Sequence, residues 1–345
     1  MSKVLVALSG GVDSSVCVHL LKEQGHEVAG LVLCMSPAHQ DTVAAAQEAA
    51  DALEIPLFVK DMQEAFEQRV ISYFMEEYKA GRTPNPCVVC NPTVKFRALL
   101  EEADARGYDL IATGHYASVR EQDGVFYLMR GESRQRDQSY MLYRLGQEVL
   151  SRLLLPLAEL PKPQVREIAG KLGLGCADKP DSQEICFIPD GNYAGYIEAR
   201  LGRSPKGEFI SPEGEVCGEH QGILHYTVGQ RKRLGIALGK PVFIKSIDPV
   251  SNRIYLAWGG SEYAPAVEIS GVCSTTGKPF PSQFDCQVKI RSVAQPAPAR
   301  VFLLPSGNLQ VEFASPQRAP AKGQSLVLYD GDVVLGGGFI ETGLV

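Results

Sequence analysis

Tryptophan occurs once in these 345 residues, histidine six times, and no apolar run exceeds eight residues, as in Val28 to Met35. A helix across a bilayer needs about 18 or more apolar residues in a row, so no membrane span is expected. The first apolar stretch, Val4 to Leu8, also falls short of the roughly 7–15 residues of a secretory h-region, which argues against a signal peptide. A surplus of one charge is missing too: 34 basic against 40 acidic residues gives −6. That balance carries no global mark of nucleic-acid binding, so basic patches have to be sought segment by segment. The nine cysteines are odd in number and scattered, unlike a secreted disulfide scaffold. A cytoplasmic, reducing compartment is expected, where a cysteine pair reads as catalytic or metal-binding.

At roughly 150 residues per domain the length predicts two to three domains, and the chain changes character near residue 200. Before it, strand-like and helical patterns alternate. Strands are expected at Val4–Leu8, Val28–Leu33, Ile55–Val59 and Leu110–Thr113. Helices are expected from Asp13 to Gln24, Asp41 to Leu53, Met62 to Lys79, and after Pro92 to Arg106. This α/β order predicts a doubly wound parallel sheet with ligands at the carboxyl ends of its strands. From Gly207 onward, Gly/Pro turns punctuate β-rich runs such as Val242–Ile247, Ile254–Ala257, Cys286–Ile290, Arg300–Leu304, Leu309–Phe313 and Leu326–Tyr329. Two small β-rich domains follow from that rhythm, divided near Ala264–Pro265. The expected domains are 1–200, 201–264 and 265–345.

The first strand runs into Ser9-Gly10-Gly11-Val12-Asp13-Ser14-Ser15 and then a helix. Two glycines let the backbone approach an anion, serine hydroxyls can donate, and the helix N-terminus adds its positive dipole end. The loop is neither G-x-x-x-x-G-K-[ST] nor G-x-G-x-x-G, and its lack of a lysine argues against a Walker-type grip on phosphate. Asp13 could help hold magnesium. The bland alternative is a glycine-rich turn capped by Asp13.

Thr83-Pro84-Asn85-Pro86-Cys87-Val88-Val89-Cys90-Asn91 places a CxxC just before the helix expected after Pro92, and ninety-six residues later comes Cys186 in Asp181-Ser182-Gln183-Glu184-Ile185-Cys186-Phe187-Ile188. A helix N-terminus is expected to lower a thiol pKa there. Zinc would want a second CxxC, which is missing. A structural pair and three-cysteine iron–sulfur ligation by Cys87, Cys90 and Cys186 stay open.

Ser9–Ser14 resembles the S-G-G-x-D-S loop of the ATP-pyrophosphatase (PP-loop) superfamily, whose members split ATP between its alpha and beta phosphates. Together with T-P-N-P-C-V-V-C-N, T-G-H-Y, D-Q-S-Y, D-S-x-x-I-C-F-I and H-Y-T-V-G-Q-R-K, in that order along essentially the whole chain, it resembles the tRNA-specific 2-thiouridylase family. The resemblance implies a cytoplasmic sulfurtransferase that makes 2-thiouridine at the tRNA wobble position. It implies Cys90 as nucleophile and Cys186 as persulfide carrier. Ala7, Leu8, Ser9, Gly10, Gly11, Val12, Asp13, Ser14, Leu33 and Gly114 match the ATP site, with adenine read by backbone around Leu33. Asn85, Pro86, Cys87, His115, Arg136, Asp137, Gln138, Arg291, Ser292 and Gln324 match tRNA or target-base contacts. The implied cofactors are ATP and Mg2+, with a 4Fe–4S cluster on the three cysteines as the alternative. The implied partners are the tRNA anticodon loop and a cysteine desulfurase or sulfur-carrier protein as donor. Three departures stand out. Cys87 replaces an aspartate that some members carry, Arg233 stands where G-Q-R-K-G-L-G has glycine, and Cys34–Gln40 lacks a tryptophan and acidic run.

The residues fit that chemistry. A uridine 2-carbonyl oxygen leaves poorly unless it carries AMP, which a pyrophosphate loop can supply. A Cys186 persulfide could then deliver sulfur, ending in a Cys90–Cys186 disulfide that a reductant opens. A PP-loop enzyme acting on a small molecule, and a tRNA-binding module with a regulatory ATP site, are the alternatives. From His225 to Arg253 six basic residues (Arg231, Lys232, Arg233, Lys240, Lys245, Arg253) face one acid, Asp248, for a local +5. That run suits an RNA backbone, or a solvated face. Cys17, Cys34, Cys273 and Cys286 read as small core residues and Trp258 as packing.

Overall fold

The computed structural model describes residues 1–37, 40–177 and 185–344. The run Val4-Leu5-Val6 makes β1 (Lys3–Ala7), fully buried on both faces, as an apolar run in a central parallel strand should be. It is followed by α1 (Val12–Glu23), β2 (Glu27–Cys34), α2 (Gln40–Ala52), β3 (Leu57–Asp61) and β4 (Leu110–Ala112). A hairpin comes next, β5 (Ala117–Gln122) and β6 (Val125–Arg130), then the short β7 (Leu153–Leu154). The parallel sheet has the order β3-β2-β1-β4-β7. Its two faces sort the side chains by alternation. Leu5, Leu31 and Leu33 pack toward Val88, Phe96 and Leu99 of the helical run 86–106. Val4, Val6 and Val32 pack toward Val16 of α1, Ala46 of α2 and Val165 of the helix Lys162–Lys171.

Two helices differ from the sequence expectation. The run 63–79 contains a π turn at Glu67–Ile71. The helix expected after Pro92 instead starts at Pro86, capped by the Asn85 side chain, which accepts from the Cys87 backbone N–H at 3.2 Å. Pro92 resembles a start signal, but here it sits inside the helix. The π turn Asn91–Lys95 widens the backbone where a proline ring would collide in regular α geometry.

Beyond residue 200, β8 (Gly207–Ile210), β9 (Val216–His220), β10 (Val242–Asp248) and β11 (Arg253–Trp258) form a sheet of order β10-β11-β8-β9. Then β12 (Tyr263–Ser274), β13 (Gln283–Lys289), β14 (Ala297–Leu303), β15 (Leu309–Arg318), β16 (Ser325–Asp330) and β17 (Val333–Leu344) close into a six-stranded barrel through the β12–β17 pairing. Ala264–Pro265, near which the domain division is expected, lies at the start of β12, with Pro265 at a bulge between paired Ala264 and Ala266.

The hairpin β5–β6 was not expected, and it belongs to the barrel sheet: Val333 of β17 pairs with Met129 of β6. Behind it Tyr140 donates to the Ser325 carbonyl at 2.7 Å, and Tyr143 pairs with the Ser325 hydroxyl at 3.1 Å. Val327, Tyr329 and Val334 of the barrel thus share one core with Phe96 and Leu99 of the cysteine-bearing helix. No described helix is long and apolar enough to cross a membrane.

Candidate active site

At the carboxyl edge of β1 the chain turns through Ala7 and the buried Leu8 into the serine–glycine loop. Ser14 Oγ accepts from the Ser9 backbone N–H at 3.2 Å and donates to the Gly11 carbonyl at 3.0 Å, and Ser15 Oγ also donates to Gly11 O at 3.0 Å. The serines therefore hold the loop's shape from within. Gly10 has φ +72°, and a Cβ there would fall 2.4 Å from the Ala45 carbonyl carbon of α2. Val12, Asp13 and Ser14 open α1, so its positive end faces the loop's mouth. Gly114 seals the other side, since a Cβ on it would lie 2.8 Å from the Asp13 carbonyl carbon. Leu33 lies buried one residue from the end of β2.

The lysine that the loop lacks arrives from 149 residues away. Lys162, buried at the start of the helix Lys162–Lys171, places Nζ 2.7 and 2.8 Å from the Asp13 carboxylate oxygens. Tyr116 donates its hydroxyl to Asp13 at 2.6 Å. Asp13, expected to help with magnesium, is thus committed to an ion pair and a phenol. No local signal could have placed Lys162 or Tyr116 here.

Cys87 sits in the first helical turn after Asn85 and Cys90 is the fifth residue of the same helix, so neither lies ahead of it. The expected lowering of their thiol pKa values is corrected by their surroundings. Burial pushes Cys90 up to about 12, and desolvation raises Cys87 as well, although that residue is exposed on the surface. Cys186 is exposed too, and desolvation with the neighbouring Cys87 raises it to about 11. Residues 181–184 of its motif lie outside the described residues. Phe187 anchors the turn by edge contacts to Phe66 and Phe74, 5.5 and 5.4 Å between ring centres. Cys90, Val94, Phe187 and Ile188 belong to one apolar cluster, so residues 90 and 186 are brought together across the chain. All nine cysteines are free thiols. Among the described residues, no three His, Cys, Asp or Glu side chains converge as metal ligands.

His115 joins the two parts. It follows Gly114, which touches the phosphate loop, and its ring stacks 6.0 Å from that of Phe96 on the cysteine helix. Nδ1 pairs with Thr113 Oγ1 at 2.7 Å, and burial with the nearby Lys95 charge drives its pKa down to about 3. Pro86 is buried, and the Asn85 amide reaches Met141 Sδ at 3.4 Å. Arg136 is exposed, while Asp137 is buried and accepts from the backbone N–H of Gly131 and Ser139 and from Arg130. Gln138 accepts from the Tyr116 backbone N–H at 3.0 Å. Asp137 and Gln138 thus shape their loop, leaving Arg136 at its surface.

Gln324 of the barrel donates to the Thr83 carbonyl at 3.0 Å, and Thr83 N–H donates to Lys322 O at 2.8 Å, so the barrel grips the strap leading to Cys87. Arg82 reinforces that grip between Glu77 and Glu341 at 2.7 Å each. Arg291 is half-buried beside half-buried Ser292 and donates to Ala319 O at 3.1 Å. Gly229 of the basic segment packs against this corner, 3.5 Å from Arg291 Nη2 to a Cβ built on it. Arg233 keeps a left-handed φ of +60°, the conformation a glycine would favour there. Arg231 and Lys240 line an open surface cavity of about 290 Å³ against Trp258, whose indole N–H donates to Glu213 at 3.0 Å. Arg253, counted with the free cations, is paired to Glu208 at 2.9 Å.

A parallel α/β sheet with this serine–glycine loop at its carboxyl edge defines a nucleotide-binding domain of the PP-loop class. Family models match three consecutive segments: a "tRNA methyl transferase HUP domain" over residues 2–190, a "tRNA methyl transferase PRC-barrel domain" over 194–258 and an "Aminomethyltransferase beta-barrel domain" over 270–340. The tRNA-specific 2-thiouridylase MnmA of Carboxydothermus hydrogenoformans is 45% identical over 358 residues, covering 99% of this chain and 98% of that protein. Its counterpart in Clostridium perfringens is 42% identical over 356 residues, covering 99% and 98%. The chain belongs to the tRNA-specific 2-thiouridylase family. Among solved structures, the U34-tRNA thiolase NcsA from Methanococcus maripaludis with its 4Fe–4S cluster aligns at TM-score 0.38 and 18% identity, over 57% of this chain and 67% of that one.

Proposed function

We propose that this chain is an ATP-dependent tRNA-uridine 2-sulfurtransferase that adenylates the wobble uridine at its 2-oxygen and replaces that oxygen with sulfur. The observation that carries the reading is the adjacency of two chemistries. Gly114 packs on the phosphate loop, and His115, the next residue, packs on the helix that carries Cys90. A base drawn out of its stack into that cleft meets ATP on one side and thiols on the other. The methyl-transfer wording of two family-model descriptions gives Cys90 and Cys186 no task, whereas thiolation uses both.

In the first half-reaction the uridine 2-oxygen attacks the alpha phosphorus of ATP, and pyrophosphate leaves. Loop amides and the α1 N-terminus hold the phosphates, and Lys162 supplies the cation at their edge. Asp13, the loop's carboxylate, is engaged by Lys162 and Tyr116; Mg2+ arriving with ATP would supply further positive charge to offset that of the phosphates. In the second half-reaction Cys90 thiolate attacks Cys186 Sγ of the persulfide. A Cys90–Cys186 disulfide forms, sulfide leaves, and sulfide displaces AMP from C2. The sulfur comes from a cysteine desulfurase or sulfur-carrier protein, and an external dithiol returns two electrons to the disulfide. Asn85, Cys87, Arg136, Arg291 and Gln324 contact the anticodon arm in this reading.

Cysteine variants test it. Cys186→Ser should release pyrophosphate with tRNA yet make no 2-thiouridine. Cys90→Ser should accumulate a persulfide on the Cys186 peptide, a gain of roughly 32 daltons by mass spectrometry. Activity that tracks iron content, together with loss of iron in Cys87→Ser, would overturn the persulfide route in favour of a cluster.

A further inference from the structure

The supports of both cysteines meet the barrel at Arg82. Its Nε donates to Glu77 Oε2 at 2.7 Å, and its Nη1 and Nη2 donate to Glu341 Oε2 and Oε1 at 2.7 and 3.2 Å. All three side chains are less than one-third exposed. A guanidinium has the fork of donors needed to hold two carboxylates at once, which an ammonium lacks. Glu77 belongs to the helix Ser72–Lys79, whose Phe74 and Tyr78 share an apolar cluster with Phe187 and Ile188, the two residues after Cys186. On the other side of Arg82, Thr83 is bonded to Lys322 and Gln324 of the barrel. Pro84 and Pro86 leave the strap little freedom before Asn85 caps the helix of Cys87 and Cys90. Glu341 lies on β17 and also accepts from the Ser270 hydroxyl of β12. The barrel comes so close that a Cβ on Gly323 would fall 2.8 Å from Glu77 Oε2 and 3.2 Å from the Thr83 nitrogen. One side chain thus ties the backing of Cys186, the lead into Cys90 and the barrel wall into a single node.

We infer that Arg82 is a positioning residue for sulfur transfer, fixing through Glu77, Glu341 and the strap the geometry in which Cys90 meets Cys186. This rests on the sulfurtransferase reading above. The step it serves is the attack of Cys90 Sγ on Cys186 Sγ, which leaves the two joined as a disulfide. A misplacement of about 1 Å costs such a step on the order of a hundred-fold. Reacting side chains are held that closely only when their own supports are fixed. The barrel, closed through the β12–β17 pairing, is the common reference for both supports. Arg82 acts through these neighbours and not on the sulfur itself.

The test uses the full chain as Arg82→Gln, Glu341→Gln and the double variant. Reduced protein is equilibrated anaerobically with glutathione and glutathione disulfide. There the Cys90 and Cys186 thiols pass two protons and two electrons to the glutathione disulfide, leaving one protein disulfide and two glutathione thiols. Peptide mapping counts the Cys90–Cys186 pair. Arg82→Gln should lower the equilibrium constant for that pair roughly ten- to a hundred-fold, and Glu341→Gln, which cuts the barrel arm alone, should lower it less. The double variant should match Arg82→Gln, because both changes break one node. In single turnovers of persulfide-loaded enzyme with ATP and a U34-containing tRNA, 2-thiouridine should slow by a similar factor while pyrophosphate release stays within about threefold. Mere glue between domains would lower the melting temperature and leave the disulfide equilibrium unchanged, and that result overturns the inference. So do losses that add in the double variant, or pyrophosphate and 2-thiouridine falling together. If Arg82→Gln does not fold, the disulfide equilibrium of Glu341→Gln decides by itself. A wild-type enzyme that forms the Cys90–Cys186 pair but makes no 2-thiouridine would sink the functional reading and leave the positioning of the thiols standing.

Discussion

Gly10 and Gly11 are neighbours in the phosphate loop, yet replacing each with alanine should have opposite consequences. At Gly10 a methyl group would sit 2.4 Å from the Ala45 carbonyl carbon, 2.5 Å from its oxygen and 2.6 Å from the Ala46 nitrogen. These are backbone atoms of α2 and no rotamer change relieves them. The residue also holds φ +72°, which costs an alanine about 1–2 kcal/mol, and forced overpacking adds about 1–3 kcal/mol. Gly10→Ala should therefore lose roughly 2–5 kcal/mol, a fall in Tm of roughly 4–20 °C. At Gly11 the backbone is extended, with φ −85° and ψ 162°, and the nearest atom to a new Cβ is Ser9 Oγ at 3.4 Å. Gly11→Ala should melt within about 1 kcal/mol of wild type. Its methyl group projects only where a phosphate would approach, so loss of one or two charged hydrogen bonds should weaken ATP by about 10- to 100-fold. Circular-dichroism melts without nucleotide and calorimetric ATP titrations separate the two effects. A Gly11→Ala enzyme that melts and binds ATP like wild type would refute the loop as phosphate cradle. An unshifted Gly10→Ala melt would refute the packing argument.

Three further outcomes follow from the geometry. Lys162→Met leaves the partly exposed Asp13 carboxylate without its cation and should cost about 1–3 kcal/mol while abolishing pyrophosphate release; adding Asp13→Asn should restore part of the melt but none of the activity. Arg231, Lys232 and Arg233 changed together to alanine should flatten the salt dependence of tRNA binding, whereas Arg253→Ala, already paired to Glu208, should leave the slope nearly unchanged; equal slopes in both would return the run to a solvated face. His115 is held neutral in the fold, its pKa lowered to about 3 from 6.5 by burial first and Lys95 second. Its contribution is therefore complete above about 6.5 and is lost as pH falls toward 3. In melts recorded from pH 7 to pH 4, His115→Gln should decline less steeply than wild type, and parallel curves would contradict the assignment.

The phosphate loop was legible because everything that makes it is local: an apolar strand, two glycines, serines that hold the turn, and a helix directly after. Lys162 was invisible because its partnership with Asp13 spans 149 residues, and no periodicity encodes a meeting of that kind. The start of the cysteine helix was misjudged because Pro92 and Pro86 both resemble first-turn prolines. Only the π turn Asn91–Lys95 decides between them. The thiol acidity was misjudged for a different reason. A helix N-terminus can be read from sequence, whereas the desolvation that outweighs it comes from Phe66, Val94 and Phe187 folding around Cys90. Arg233 shows the converse: the altered residue is plain in the sequence, but only the structure shows that the glycine-like φ of +60° survives it.

The pairing of β6 with β17 and the shared core behind it also set an order of events for the nascent chain. Tyr140, Tyr143 and Phe96 complete their packing against Ser325, Val327 and Tyr329, and Ser325 leaves the ribosome 185 residues after Tyr140. Synthesis proceeds at about 5–20 residues per second, so the cysteine helix waits on the order of ten seconds or more for its final neighbours. Until β16 and β17 emerge, β6 presents an open edge and Phe96 lacks its barrel neighbours. A chain cut short before β16 therefore keeps its nucleotide loop and the cluster of Cys90 with Phe66, Val94 and Phe187, but leaves the far side of the cysteine helix, at Phe96 and Leu99, without its backing.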